Sequence, residues 1–69
     1  MDIKSKVGKR IREIREKAEM SQKDLAYSSD LDRSYIASVE NGKRNISIIN
    51  IEKIAKSLGI SISELFKGI

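Results

Sequence analysis

A chain of 69 residues has room for one domain and a single core, which supplies only thin stabilisation on its own and favours dimerisation. The hydrophobic fraction of 39% beside 35% charged residues is globular, and the absence of cysteine and histidine removes disulfides, thiolate metal sites and the usual general base. A formal net charge of +4 favours an anionic partner; with no bilayer-length apolar run and no hydrophobic signal core in MDIKSKVGKR, the expected setting is the reducing cytoplasm, away from membranes.

Ile3, Val7, Ile11, Ile14 and Ala18 recur at steps of four, four, three and four, which predicts a first helix starting near Asp2 or Ser5. Gly8 interrupts it, so the first turns either fray or pack closely against a neighbour. Arg12 with Glu16, and Arg15 with Glu19, are spaced for ordinary surface pairing. Lys4 to Arg12 holds five basic residues and no acid, a patch that fits long-range steering or plain solubility equally well.

Ser21 and Asp24 form a capping box, so a second helix starts at Gln22, with Met20 and Leu25 as its hydrophobic staple. Ser28-Ser29-Asp30 has poor helix propensity and Asp30 tolerates the left-handed region, which ends that helix and turns Leu31 inward. Asp32 caps a third helix with Ile36 and Val39 toward the core, leaving Arg33, Ser34, Ala37, Ser38 and Asn41 outward. That face is polar and free of carboxylates, and suits the DNA major groove, although a solvated helix in a small bundle has the same spacing.

Asn41-Gly42 stops the third helix and Lys43-Arg44-Asn45-Ile46 is a short loop. Ser47 caps a fourth helix with a core stripe of Ile48, Ile51, Ile54, Ala55 and Leu58, ended by Gly59. Ser61 and Glu64 read as another capping box, opening a last helix with Ile62, Leu65, Phe66 and Ile69. The result is an all-α five-helix bundle around a central helix-turn-helix, about residues 21 to 41, in a single domain spanning 1 to 69. Ile49, Ile62 and Phe66 are surplus to one core, which marks residues 47 to 69 as a dimer interface or leaves scattered surface apolar residues.

The pairs Ser21-Gln22 and Leu25-Ala26, Ile36 three before Val39, Glu40-Asn41-Gly42-Lys43, and Ile54-Ala55 with Leu58-Gly59 together resemble the phage-repressor-like (Cro/repressor, Xre) helix-turn-helix family. Leu31 to Ile36 with Lys43 to Ile46 looks most like the controller proteins of restriction–modification systems. The resemblance implies a lambda-repressor-like fold and a homodimer on a palindromic operator in double-stranded DNA. It also implies activation and repression of the protein's own promoter and that of the endonuclease. Phage or plasmid repressors, antitoxins and a protein-interaction module are the other readings. An enzyme has little behind it, with no histidine, cysteine or glycine-rich phosphate loop, and neither a cofactor nor a metal site is expected.

Carried over by the resemblance, Arg33 and Ser34 read bases, with the short Ala37 and Ser38 beside them. Gln22, Tyr27, Tyr35, Lys43, Arg44 and Asn45 hold the DNA backbone or probe its shape. For Arg33 the plain alternative is an ion pair with Asp30 or Asp32, and for Tyr35 a half-buried seat against the protein. Asp24 is either a contact for an RNA polymerase sigma subunit or simply the cap. The family often has Gly where Asp30 stands and an apolar residue where Ser29 stands, departures that the controller subgroup tolerates.

Overall fold

The computed structural model describes residues 2–69, and five α-helices account for its regular structure: α1 Ile3–Lys17, α2 Gln22–Ser29, α3 Arg33–Glu40, α4 Ile48–Ser57 and α5 Ile62–Leu65. Four of the five helix starts carry a side-chain cap. Asp2 accepts from the Ser5 amide, Ser47 from the Asn50 amide, and Ser21 with Asp24 forms the full reciprocal capping box. The Ser21 amide, donating to Asp24, holds that carboxyl below its ordinary value of 3.8. Two expected caps are incomplete. Asp32 makes no side-chain cap bond, and Ser61 accepts from the Glu64 amide without a returning bond from the Glu64 carboxylate.

Between α2 and α3 the turn is made as the sequence predicts. Asp30 takes the left-handed region at φ 57°, and the Leu31 amide donates to the Ala26 carbonyl at 2.9 Å, a helix-terminating wrap that folds Leu31 onto the core. Ser29, where an apolar residue would pack, is buried because its hydroxyl donates to the Leu25 carbonyl at 2.6 Å.

Val7, Ile11, Leu25, Ala26, Ile36, Val39, Ile54, Ala55 and Leu65 form one buried cluster fed by all five helices. Four expectations fail at its margins. Ala18 lies exposed just past the end of α1, while Arg15, assigned to the surface, is buried. Ile48 is 80% exposed rather than part of the core stripe: it is the first residue of α4 and falls roughly 120° from Ile54 around the helix. The last helix is a single turn ending at Leu65, with Phe66 as its cap and half-buried against the core, so residues 67–69 do not continue it.

Gly8 and Gly42 are where helices touch backbone to backbone. A methyl at Gly8 would collide with the Val39 carbonyl and lie 2.9 Å from that of Glu40, so the residue that weakens α1 is what lets α1 rest on the end of α3. Gly42, at φ 74°, likewise has no room for a side chain against Ser5. Gly8→Ala, which in an exposed helix would gain about 1 kcal/mol, is expected instead to cost about 1 to 3 kcal/mol in urea unfolding. A stabilised variant would refute this close packing.

Candidate nucleic-acid interface

The third helix begins with Arg33 and Ser34, both exposed, on a helix start whose first amides have no side-chain cap. Among the described residues Arg33 makes no ion pair, so the alternative pairing with Asp30 or Asp32 does not form. A free guanidinium at a helix N-terminus, where the backbone dipole also favours anions, is an arrangement that meets guanine edges or phosphates with little rearrangement. Ala37 and Ser38, one turn further on, are half-buried and contribute less surface.

Ser38 is already engaged. Its hydroxyl donates to the Tyr35 carbonyl at 2.9 Å and accepts from Arg44 Nε at 3.3 Å. Arg44 in turn lies over the Tyr35 ring, 5.0 Å from its centroid, an attraction between cation and π face. The Tyr35 hydroxyl accepts from Asn50 Nδ2 of α4 at 3.0 Å. Tyr35 is therefore half-buried, and it ties the corner loop to both α3 and α4. The sequence reading did not single out Asn50, yet it stands four residues before Ile54 on the inward side of α4.

Lys43 and Asn45 are exposed on that corner, and Tyr27 is 89% exposed on α2, sharing a hollow with Asp32 and Tyr35. These residues and the start of α3 form one polar surface. Gln22, at the start of α2, is tied to α3. Its Nε2 donates to Glu40 Oε1 at 3.1 Å, at the far end of α3.

Beneath Gln22 lies a buried ion pair. Arg15 donates from Nε to Glu40 Oε2 at 2.7 Å and from Nη2 to Oε1 at 3.0 Å, while its Nη1 donates to the Met20 carbonyl at 2.7 Å. Hydrogen bonding to Glu40 raises the Arg15 pKa above its usual value, with the neighbouring negative charge adding to the effect against the burial. The surface pairing expected for Arg15 with Glu19 is absent, whereas Arg12 and Glu16 do pair, at 3.3 Å on the outside of α1. The missed signal was spacing: Arg15 follows Val7 and Ile11 at steps of four.

The surplus apolar residues follow the motif, on α4 and at α5. Ile49 is 68% exposed on α4 and Ile62 38% exposed on α5, with Phe66 partly used by the protein's own core. Among the described residues no group of histidine, cysteine or carboxylate side chains could hold a metal ion.

Two short helices joined by a left-handed corner, the second presenting an unpaired Arg at its start, define a helix-turn-helix. A helix-turn-helix family model matches residues 11–65. Control protein C.MunI of Mycoplasma sp is 51% identical over 69 residues, spanning 99% of this chain and 93% of that protein. Among solved structures, the restriction–modification controller protein C.AhdI from Aeromonas hydrophila superposes at a TM-score of 0.90 with 49% identity, over 91% of this chain and 96% of that one. A tetramer of the controller protein C.Esp1396I in complex with its natural 35 base-pair operator matches at a TM-score of 0.90 and 42% identity, over 97% of this chain and 88% of that one. The chain belongs to the helix-turn-helix family of transcription regulators, in its branch of restriction–modification controller proteins, and is not an enzyme.

The buried pair is open to a direct check. Arg15→Met should cost about 3 to 5 kcal/mol in urea unfolding because it strands the Glu40 carboxylate, while Arg15→Met with Glu40→Met should recover most of that loss. Equal losses in the single and double variants would show that the two charges are not coupled.

Proposed function

We propose that two copies of this chain bind a palindromic operator in double-stranded DNA and control, by activation and then repression, the promoters of the protein's own gene and of a restriction endonuclease. The observation that carries the proposal is Arg33, exposed and without an ion pair among the described residues at the start of a polar helix. In this reading α3 enters the major groove, Arg33 bridges guanine O6 and N7, and Ser34 touches a neighbouring base or phosphate. Ala37 and Ser38 add little direct readout, so part of the specificity comes from DNA shape.

Lys43, Arg44 and Asn45 take the backbone beside the groove, with Tyr35 as the platform under Arg44, and Tyr27 and Gln22 reach phosphates from α2. The whole chain, residues 1–69, is one DNA-binding domain with its motif at about 21–41, and the C-terminal helices, about 47–69, also serve dimerisation. The exposed face of α2 offers Asp24 to an RNA polymerase sigma subunit during activation; its Oδ2 serves the cap. Among the described residues no helix is long and apolar enough to cross a membrane, and the proposed site of action is the cytoplasm.

Arg33→Ala should weaken binding to the operator by about 1 to 3 kcal/mol and leave binding to random DNA nearly unchanged, measured by fluorescence anisotropy on both duplexes. Equal losses on the two would remove the base-reading role. For the assembly, Ile49→Glu with Ile62→Glu is the cleaner pair, because Phe66 also packs against the core. That variant should sediment as a monomer and lose operator affinity in parallel, and a variant that remains dimeric would place the interface elsewhere.

A further inference from the structure

Arg10 behaves unlike the rest of the basic run on α1. It is half-buried, and its guanidinium reaches across the chain to the end of the last helix, donating from Nε to the Leu65 carbonyl at 3.2 Å and from Nη2 to the Glu64 carbonyl at 2.9 Å. Glu13, one turn further along α1, would be an easier partner, yet among the described residues Arg10 forms no ion pair. The fork is spent on two main-chain oxygens at a helix C-terminus, where the backbone dipole favours a cation; the Glu64 oxygen also accepts from the Lys67 amide at 3.2 Å.

That helix has little else to hold it. α5 is four residues long, far below the length at which a helix is stable in isolation. Its other ties are the Ser61 cap, the fully buried Leu65 side chain and the partial packing of Phe66. Leu65 alone is a pivot; the Arg10 fork, gripping two successive carbonyls, fixes rotation about it. Ile62 rides on this turn, and its place relative to Ile49 on α4 is set by how α5 is seated.

We infer that Arg10 is a positioning residue for self-association: by fastening α5 to α1 it sets the apolar surface of Ile49 and Ile62 in the shape a second copy must match. The inference rests on the dimer reading above. It gives one member of the basic run a role that charge alone does not explain, and it links that surface, through α1 and the Gly8 contact with α3, to the DNA-reading helix.

The test is sedimentation equilibrium of the full chain and of Arg10→Gln, Arg10→Lys and Arg12→Gln, with amide hydrogen exchange on each. Arg12 lies two residues away, is exposed and pairs with Glu16, so its variant controls for loss of one positive charge. Arg10→Gln should keep the helical signal and raise the dimer dissociation constant at least tenfold, with faster exchange confined to residues 62–69. Arg10→Lys, which can reach one carbonyl but has no fork, should fall between, and Arg12→Gln should match the parent. Arg10→Gln dimerising as tightly as the parent overturns the inference, as does weakening that comes with faster exchange throughout the chain. A parent chain that is monomeric at every concentration refutes the interface itself, and the inference with it, before any variant is read.

Discussion

The arrangement of the candidate DNA-reading surface depends on one desolvated carboxylate. Glu40, the last residue of α3, accepts two bonds from Arg15 of α1 and one from Gln22, the first residue of α2, so three helices converge on two oxygen atoms. Burying such a pair costs free energy that its mutual attraction returns only when geometry is good and spare valences are filled. Both conditions hold: the fork is bidentate, the remaining Arg15 donor takes the Met20 carbonyl, and among the described residues no buried side-chain nitrogen or oxygen lacks a partner.

An apolar contact in the same place would tolerate sliding, whereas a fork on a carboxylate fixes direction. Because a carboxylate only accepts, it also fixes which end of the Gln22 amide turns toward it. The consequences run outward along α3. Its C-terminal end is pinned by Glu40 and pressed against Gly8, and its N-terminal end is left open with Arg33 in solvent. The corner that follows is fastened separately, by Arg44 on Tyr35 and Ser38 and by Asn50 on the Tyr35 hydroxyl. Rigid support under exposed cations is what a surface needs if it is to recognise a regular lattice of phosphates without a large ordering cost.

Local chemistry made most of this legible from the amino acids. The Ser21 and Asp24 box, the left-handed Asp30 and the glycine after Asn41 are short-range devices, and each appears as read. The role of Arg33 as an outward residue also followed from its spacing relative to Ile36. What escaped were residues whose partners lie far along the chain. Arg15 sits on the same stripe as Val7 and Ile11, but a charge on an apolar stripe reads as a surface residue until a buried partner 25 positions away is known. Asn50 and Arg10 pose the same difficulty, since their acceptors come from other elements. Ile48 failed in the opposite sense, through its place at the very start of α4, where periodicity alone does not ensure a neighbour to pack against.

The fork between Arg10 and α5 joins positions 54 and 55 residues apart, nearly the full span of the polypeptide. The loop that this fork closes therefore encloses the whole helix-turn-helix, so the two ends of the described chain meet on the far sides of α2, α3 and α4 in sequence.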